Sequence, residues 1–504
     1  SSDVCSSDLH PGARVLLKVH PDVLAGLKRG HFAPGTLPRG AASRIRWVAA
    51  PVHPPELLAR VEAVYVVTSQ MGFEALLWGR PVRCFGMPFY AGWGLSGDDQ
   101  AAPARRGAAS LEQLVHAALI DYPLCLDPQS GLPCTPETLV HWMGWQRAMR
   151  QRFPEHLLGL GFTRWKQSLV RDFVQGSQVQ FAPRRVRPRA EDTVLLWGRE
   201  PLPAGTRPAG VLRLEDGFVR SVGLGAEWSR PLSWVVDGRG LYYDATAPSD
   251  LEHLLQHHAF DGALRQRAAA LRQRIVAAGL SKYNLGGAEW RRPAGRRVVL
   301  VIGQVEGDAS LRHGAPGVRH NLELLQRVRA ERPDAWLVYK PHPDVVAGLR
   351  ASGQGEADAA AHCDEVLPGA SITQLLGQVD EVHVMTSLTG FEALLRGVPV
   401  VAWGCPFYAG WGLTEDRHGL PRRERRLDLD ELVAGALILY PTHVSRRTGL
   451  FCSPEQVLTE LAQWRQEPPG PWRRLTSALV RQGARWWSRW RHRPGRGSAK
   501  SVTH

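Results

Sequence analysis

Short, uniformly apolar runs alternate along this chain with amphipathic stretches. Residues 15–19, 64–67 and 82–85 are runs of the kind found in strands buried on both faces. Between them 73–77 has helical spacing and stops at Gly79, and 111–122 is an amphipathic stretch closed by Pro123. Further on, 162–173 reads as a helix, 194–197 and 211–214 as strands, and 248–257 and 262–278 as helices. Residues 296–302 form a basic start followed by a β-branched run, a good central strand; 320–332 is a helix ending at Pro333, and 335–339 is the next strand. Strands alternating with helices predict parallel sheets covered by helices.

One block of text occurs twice. Lys340-Pro341-His342-Pro343-Asp344, Thr386-Ser387, Gly390-Phe391-Glu392-Ala393-Leu394-Leu395 and Pro406-Phe407-Tyr408-Ala409-Gly410-Trp411-Gly412 repeat Lys18-Val19-His20-Pro21-Asp22, Thr68-Ser69, Gly72-Phe73-Glu74-Ala75-Leu76-Leu77 and Pro88-Phe89-Tyr90-Ala91-Gly92-Trp93-Gly94. Tyr90 and Tyr408 stand about 318 positions apart, far beyond the roughly 20–50-residue period of a solenoid, so a domain is duplicated. The second copy follows about 150 residues of patterned sequence; the first follows almost none.

The boundaries follow from this. Residues 1–9 match nothing in the second copy and read as a leader foreign to the domain. Residues 10–150 are a partial first module, the later half only, and 151–190 a helical linker ending in a Pro- and Arg-rich stretch. Residues 191–295 and 296–465 are two α/β halves facing each other across a cleft, and 466–504 is a basic, aromatic tail.

Composition changes this picture little. Of 504 residues 44% are apolar and 22% charged, which is ordinary for a globular protein. No apolar run is long enough to span a bilayer. Seven scattered cysteines without a Cys-x-x-Cys fit a reducing cytosol and argue against a disulfide frame or structural zinc. The net charge of +14 gathers in the tail, where residues 471–504 hold nine Arg or Lys and no acid. Leu475, Leu479, Trp486 and Trp490 fall near one helical face among those arginines, which suits an anionic membrane surface or packing back onto the protein.

The candidate chemistry sits at strand ends. His342, fixed between two prolines and beside Lys340, suits a phosphate contact or a plain turn. Thr386 and Ser387 precede a helix and fit either an anion site or an N-cap. Glu392 is placed for ribose hydroxyls or for the helix dipole. Gln304 and Asp308 lie in the loop after the central strand, where ligands of open α/β sheets bind, with Gly303 and Gly307 allowing close approach. A carboxylate there can attack an anomeric carbon, or simply make an Asx turn. Glu215-Asp216-Gly217, at a strand end on the facing half, offers an acid/base pair or a turn, and Arg220 and Lys282 are candidates to hold a sugar carboxylate. Asp428-Leu429-Asp430 has the spacing of metal-binding glycosyltransferases but opens a helix, so it reads as an N-cap and no metal is expected.

Taken in order, Glu-Asp-Gly-Phe-Val-Arg-Ser, Tyr-Tyr-Asp, Ser-Lys-Tyr-Asn-Leu, Gly-Gln-Val-Glu-x-Asp-Ala-Ser, Lys-Pro-His-Pro-Asp-Val, Thr-Ser-x-x-Gly-Phe-Glu-Ala-Leu and Phe-Tyr-Ala-Gly-Trp-Gly-Leu resemble the KpsC family, capsular polysaccharide β-Kdo transferases of Gram-negative bacteria. The resemblance runs over almost the whole chain from residue 10. It implies an α/β, GT-B-like glycosyltransferase with two Rossmann-like halves, preceded by a partial copy of the second half. It implies a retaining transfer of Kdo from CMP-β-Kdo to a growing β-Kdo linker on a lipid acceptor, with no cofactor. Asp308 then matches the proposed nucleophile, Glu215 and Asp216 the acidic-Gly motif, and His342, Thr386 and Ser387 the CMP contacts; Gln304, Lys340, Glu392, Arg220 and Lys282 complete the donor site. Lys18, His20, Thr68, Ser69 and Glu74 are the equivalents in the first module. That module lacks its own acidic-Gly half and a counterpart of Asp308, so the expectation is an inactive first module in a fragment of a bifunctional enzyme. The implied setting is the cytoplasmic face of the inner membrane, with capsule assembly and export proteins as partners and no nucleic acid. Two readings compete: another CMP-sugar transferase of sialyl type, and a non-catalytic capsule-assembly module.

Overall fold

The computed structural model describes residues 12–29, 44–49, 52–222, 230–282, 284 and 287–467. The leader at 1–9 and nearly all of the tail at 466–504 lie outside them. The chain divides into two units, Ser1–Asp127 with Gly131–Val140, and Pro128–Ser130 with His141–His504.

The first unit holds two small parallel sheets. Strand β1 (Val15–Lys18) pairs with β2 (Ile45–Val48), and β3 (Val64–Val66), β4 (Val82–Cys84) and β5 (Gly97–Asp98) form the other. The helix Met71–Leu77 turns Phe73, Ala75 and Leu76 inward onto Val66, Val82 and Tyr90. The helix Leu111–Val115 starts on a capping box, in which Ser110 accepts from the Gln113 N–H and the Gln113 side chain from the Ser110 N–H.

The second unit begins earlier than its sequence suggests. Residues 151–190, read as a linker, instead supply β6 (His156–Leu160), the helix Arg164–Phe173 and β7 (Gln178–Ala182). These join β8 (Thr193–Trp197), β9 (Gly210–Asp216) and β10 (Ser233–Asp237). For β7 the reason is positional: it is the sheet edge, so Gln178-Val179-Gln180-Phe181 alternates polar with apolar instead of running apolar throughout.

The second sheet is wholly parallel. Around the buried β11 (Val298–Ile302) lie β12 (Trp336–Lys340), β13 (Glu365–Val366), β14 (Glu381–Val384), β15 (Val400–Ala402) and β16 (Glu415–Asp416), in the order β13-β12-β11-β14-β15-β16. All carboxyl ends therefore open on one edge, where the loops after β11, β12 and β14 meet. The chain then returns. A last strand, β17 (Thr442–His443), pairs antiparallel with β10, and Val444 and Phe451 enter the first half's core beside Leu157, Phe173 and Trp234. The stretch 442–451, read as part of the second half, is thus built into the first.

The duplication is visible in the register. The pairs Val382↔Val400 and Val401↔Glu415 repeat Val64↔Val82 and Arg83↔Gly97. In the second unit β11 joins β12 to β14; among the described residues of the first unit no strand joins β1 to β3.

Candidate active site

One cavity of about 770 Å³ lies between the two halves of the second unit. Its wall includes every second-module residue singled out above: Glu215, Asp216, Arg220, Lys282, Gln304, Asp308, Lys340, His342, Thr386, Ser387 and Glu392.

The nucleotide-side wall is made by three loops at strand ends. After β12, His342 caps the turn Pro343–Val346, its Nδ1 accepting from the Asp344 N–H at 3.1 Å. Burial pushes its pKa down. A neutral imidazole whose Nδ1 accepts carries its proton on Nε2, which makes that atom a donor. After β14, Ser387 is the N-cap of Leu388–Leu395, its Oγ accepting from the Thr389 N–H at 3.2 Å. Cap and cavity wall are one residue. Thr386 is clamped by Gln304, whose Oε1 accepts from the Thr386 N–H at 2.8 Å while its Nε2 donates to Thr386 Oγ1 at 3.0 Å. Both ends of that amide are engaged, so Gln304 positions Thr386 from the cavity wall. Lys340 donates to the Ala370 carbonyl at 2.8 Å, and burial lowers its pKa.

The repeated Phe-Tyr-Ala-Gly-Trp-Gly motif shapes these loops. The Tyr408 hydroxyl donates to the Ser387 carbonyl, and a Cβ on Gly390 would meet that hydroxyl at 2.2 Å. In the first unit Tyr90 donates to the Ser69 carbonyl, with Gly72 in the same place. Phe407 stacks at 4.4 Å on Phe218 of the facing half.

Asp308 is exposed to the cavity at the start of the helix Ala309–Gly314, with Oδ1 accepting from the Ser310 N–H at 2.8 Å. The Asx-type turn is present, and it leaves the residue on the cavity wall. The glycines beside it act differently from expectation. Gly303 is required by packing, since a Cβ would stand 2.4 Å from the Tyr339 hydroxyl, whereas Gly307 faces open space.

Across the cavity, the two adjacent acids have different surroundings. Asp216 is held by Arg220 at 2.8 Å and by the Trp234 indole N–H at 3.1 Å. Glu215 accepts from the Asp216 N–H at 3.0 Å, and burial next to the Asp216 charge pushes it up to about 7. Glu392 is buried, its Oε1 accepting from the Lys282 N–H at 2.8 Å, and burial raises its pKa. It ties Lys282 to the second half.

Three wall residues had no local signal. Trp165 and Lys166 come from the stretch read as a linker, and Trp197 from the end of β8. The Asp-x-Asp pair reads as expected from its helix: Asp428 caps Leu429–Val433 in a capping box with Glu431, and Asp430 pairs with Arg272 at 3.0 Å.

In the first unit His20 and Ser69 repeat the local geometry of His342 and Ser387, while Lys18 bonds differently from Lys340. His20 Nδ1 accepts from the Asp22 N–H at 3.1 Å, Ser69 Oγ from the Met71 N–H at 3.3 Å, and Lys18 donates to the Val19 carbonyl at 2.9 Å. Thr68 lies in the loop after β3, and Glu74 on the helix Met71–Leu77.

The sequence matches the family described as Capsule polysaccharide biosynthesis protein over residues 7–124, 202–288 and 256–451. It is 40% identical over 457 residues, 87% of the chain, to the capsule polysaccharide modification protein LipA of Neisseria meningitidis serogroup A, and spans 64% of that relative's length. The lipopolysaccharide-processing protein LpsZ of Rhizobium meliloti is 37% identical over 356 residues, 67% of this chain and 80% of LpsZ. Two solved structures from Thermosulfurimonas dismutans are similar: KpsC, beta Kdo 2,7 transferase, at a TM-score of 0.52 and 36% identity, and KpsC, beta Kdo 2,4 transferase, at 0.55 and 33%. Each covers 62% of this chain, and the match takes in 100% and 99% of the respective structures. The chain therefore belongs to the capsule polysaccharide biosynthesis protein family, with an α/β, GT-B-like fold of two facing Rossmann-like halves.

Proposed function

We propose that the second unit is a retaining glycosyltransferase of capsule assembly that moves Kdo from CMP-β-Kdo to a β-Kdo-terminated glycolipid. The observation that carries this reading is the single cavity lined at once by Asp308, by the Glu215–Asp216 pair of the facing half, and by His342, Thr386 and Ser387. In the first step an Asp308 carboxylate oxygen attacks the anomeric carbon, and the bond from that carbon to the phosphate oxygen breaks, CMP leaving with the electron pair. His342 Nε2–H and the Thr386 hydroxyl are the donors available to that phosphate, Lys340 adds positive charge, and Glu392 is placed for the ribose. Arg220 and Lys282 supply charge for the sugar carboxylate. In the second step an acceptor hydroxyl attacks the same carbon, its proton passes to Glu215, and Asp308 is released as carboxylate. Two inversions give retention. Glu215 is the better base of the acidic pair because it titrates near neutrality, while Asp216 is committed to Arg220.

The reaction takes place at the cytoplasmic face of a membrane, and the first unit takes no catalytic part. Among the described residues no helix is long and apolar enough to cross a membrane; in this reading contact with the lipid acceptor is peripheral, through the basic, aromatic tail. The test is intact-mass measurement after incubation with CMP-Kdo. One Kdo added to the wild type and none to Asp308→Asn is the expected result. An adduct that survives Asp308→Asn removes Asp308 from the role, and turnover without any adduct-forming residue in this cavity removes the mechanism.

A further inference from the structure

On the wall away from the phosphate-side loops a cation is left over. The Lys166 ammonium sits 3.4 Å from the centre of the Trp197 ring; among the described residues it makes no hydrogen bond or close ion pair, and the charges of Glu215 and Asp216 act on it from nearby. Trp165 lines the cavity beside it. The position is fixed by the fold: Thr163 caps the helix that carries Lys166, and Trp197 ends β8 opposite Leu214, the residue before Glu215. One step on, a Cβ at Gly198 would stand 3.4 Å from Glu215 Oε2 and 3.5 Å from the Tyr243 hydroxyl. The Tyr243 carbonyl in turn reaches Gly314, which packs on Thr386. Glu215 thus lies between the Lys166–Trp197 corner and the Asp308–Thr386 side.

An acceptor that presents a hydroxyl to Glu215 extends past this corner of the cavity. The indole face of Trp197 is covered by the Lys166 ammonium, so it seats the cation and the cation meets the sugar. A partly desolvated ammonium there, with Asp216 already taken by Arg220, is suited to an anion brought by the ligand. We propose that Lys166, seated on Trp197, is an acceptor-specificity residue that holds the carboxylate of an acidic sugar while Glu215 faces its hydroxyl. This rests on the transferase reading above and adds to it a residue from outside every matched motif.

The test separates the two. The methyl β-glycoside of Kdo and its carboxyl methyl ester are titrated by NMR into the full chain without donor, for wild type, Lys166→Arg and Lys166→Met. Wild type is expected to bind the acid about tenfold more tightly than the ester, the size of one charge-assisted contact. Lys166→Arg keeps most of that preference, and Lys166→Met loses it through weaker binding of the acid alone, with a thermal midpoint close to wild type. Equal binding of acid and ester by wild type, binding of neither, or a preference retained in Lys166→Met overturns the proposal. A shift in the pH profile of transfer with acid binding unchanged would also overturn it, since Lys166 would then act only on Glu215. Transfer from CMP-Kdo is measured in parallel. Its absence, with carboxylate-dependent binding intact, defeats the transferase reading and leaves the binding role of Lys166 standing.

Discussion

Glu215 and Asp216 are neighbours whose environments push them apart. Asp216 has a guanidinium and an indole N–H, while Glu215 has burial and the Asp216 charge. Its raised pKa means that the native state binds more protons than the unfolded chain between 4.5 and about 7, so this residue lowers stability as pH rises across that window. Glu215→Gln is therefore expected to raise the thermal midpoint at pH 8, with the gain shrinking toward pH 5, while abolishing transfer. Scanning calorimetry at both values checks it. Asp308, His342 and Thr386 were legible because each stands in a short motif at a strand end, where chemistry and local turn geometry coincide. Lys166 was not legible. Its approach to Trp197 is set by the adjacency of β6, β8 and β9, which no window of sequence encodes.

At the scale of elements, the parallel sheet was readable from its apolar runs, and β7 was lost to edge alternation. Strand β14 adds a polar device to its core. His383 is fully buried; its Nδ1 accepts from the Trp403 indole N–H at 3.0 Å, and its Nε2 faces Glu381 Oε1 at 2.5 Å. Arg332 and Arg297 complete the surround of Glu381. The His383 hydrogen bond leads, with both arginines helping, in holding that carboxyl down to about 2. A depressed carboxylate stabilises above its unfolded pKa, and the contribution fades as pH falls from 4.5 toward 2. Glu381→Gln should cost about 3 kcal/mol at pH 7 and progressively less below pH 4, as urea melts would show. Gly390→Ala, which drives a methyl into the Tyr408 hydroxyl, should cost about 1–3 kcal/mol. Gly72→Ala is the matched change in the first unit, where the same contact repeats, and pairing each with its Tyr→Phe change should recover part of the loss.

At the scale of the molecule, the units share loops but not a complete wall. The first has counterparts of His342, Thr386 and Ser387, yet among its described residues none of Asp308, which hangs on β11. Replacing His20, Thr68 and Ser69 together by Ala is expected to leave product linkage and rate within about twofold, whereas His342→Ala should raise the donor KM roughly tenfold through the lost phosphate contact. Product analysis with a synthetic acceptor distinguishes the two. The tail at 466–504, legible only as a pattern, is expected to bind anionic vesicles. Flotation of a chain ending at Gly470 should lose most of that binding, and unchanged flotation would assign membrane contact elsewhere.

The return of β17 onto β10 has a consequence for dissecting the protein. Val444 and Phe451 fill the core beside Leu157, Phe173 and Trp234, so neither half of the second unit carries a whole interior by itself. The two halves should melt together, as one calorimetric transition. A chain cut after Leu439 should lose both.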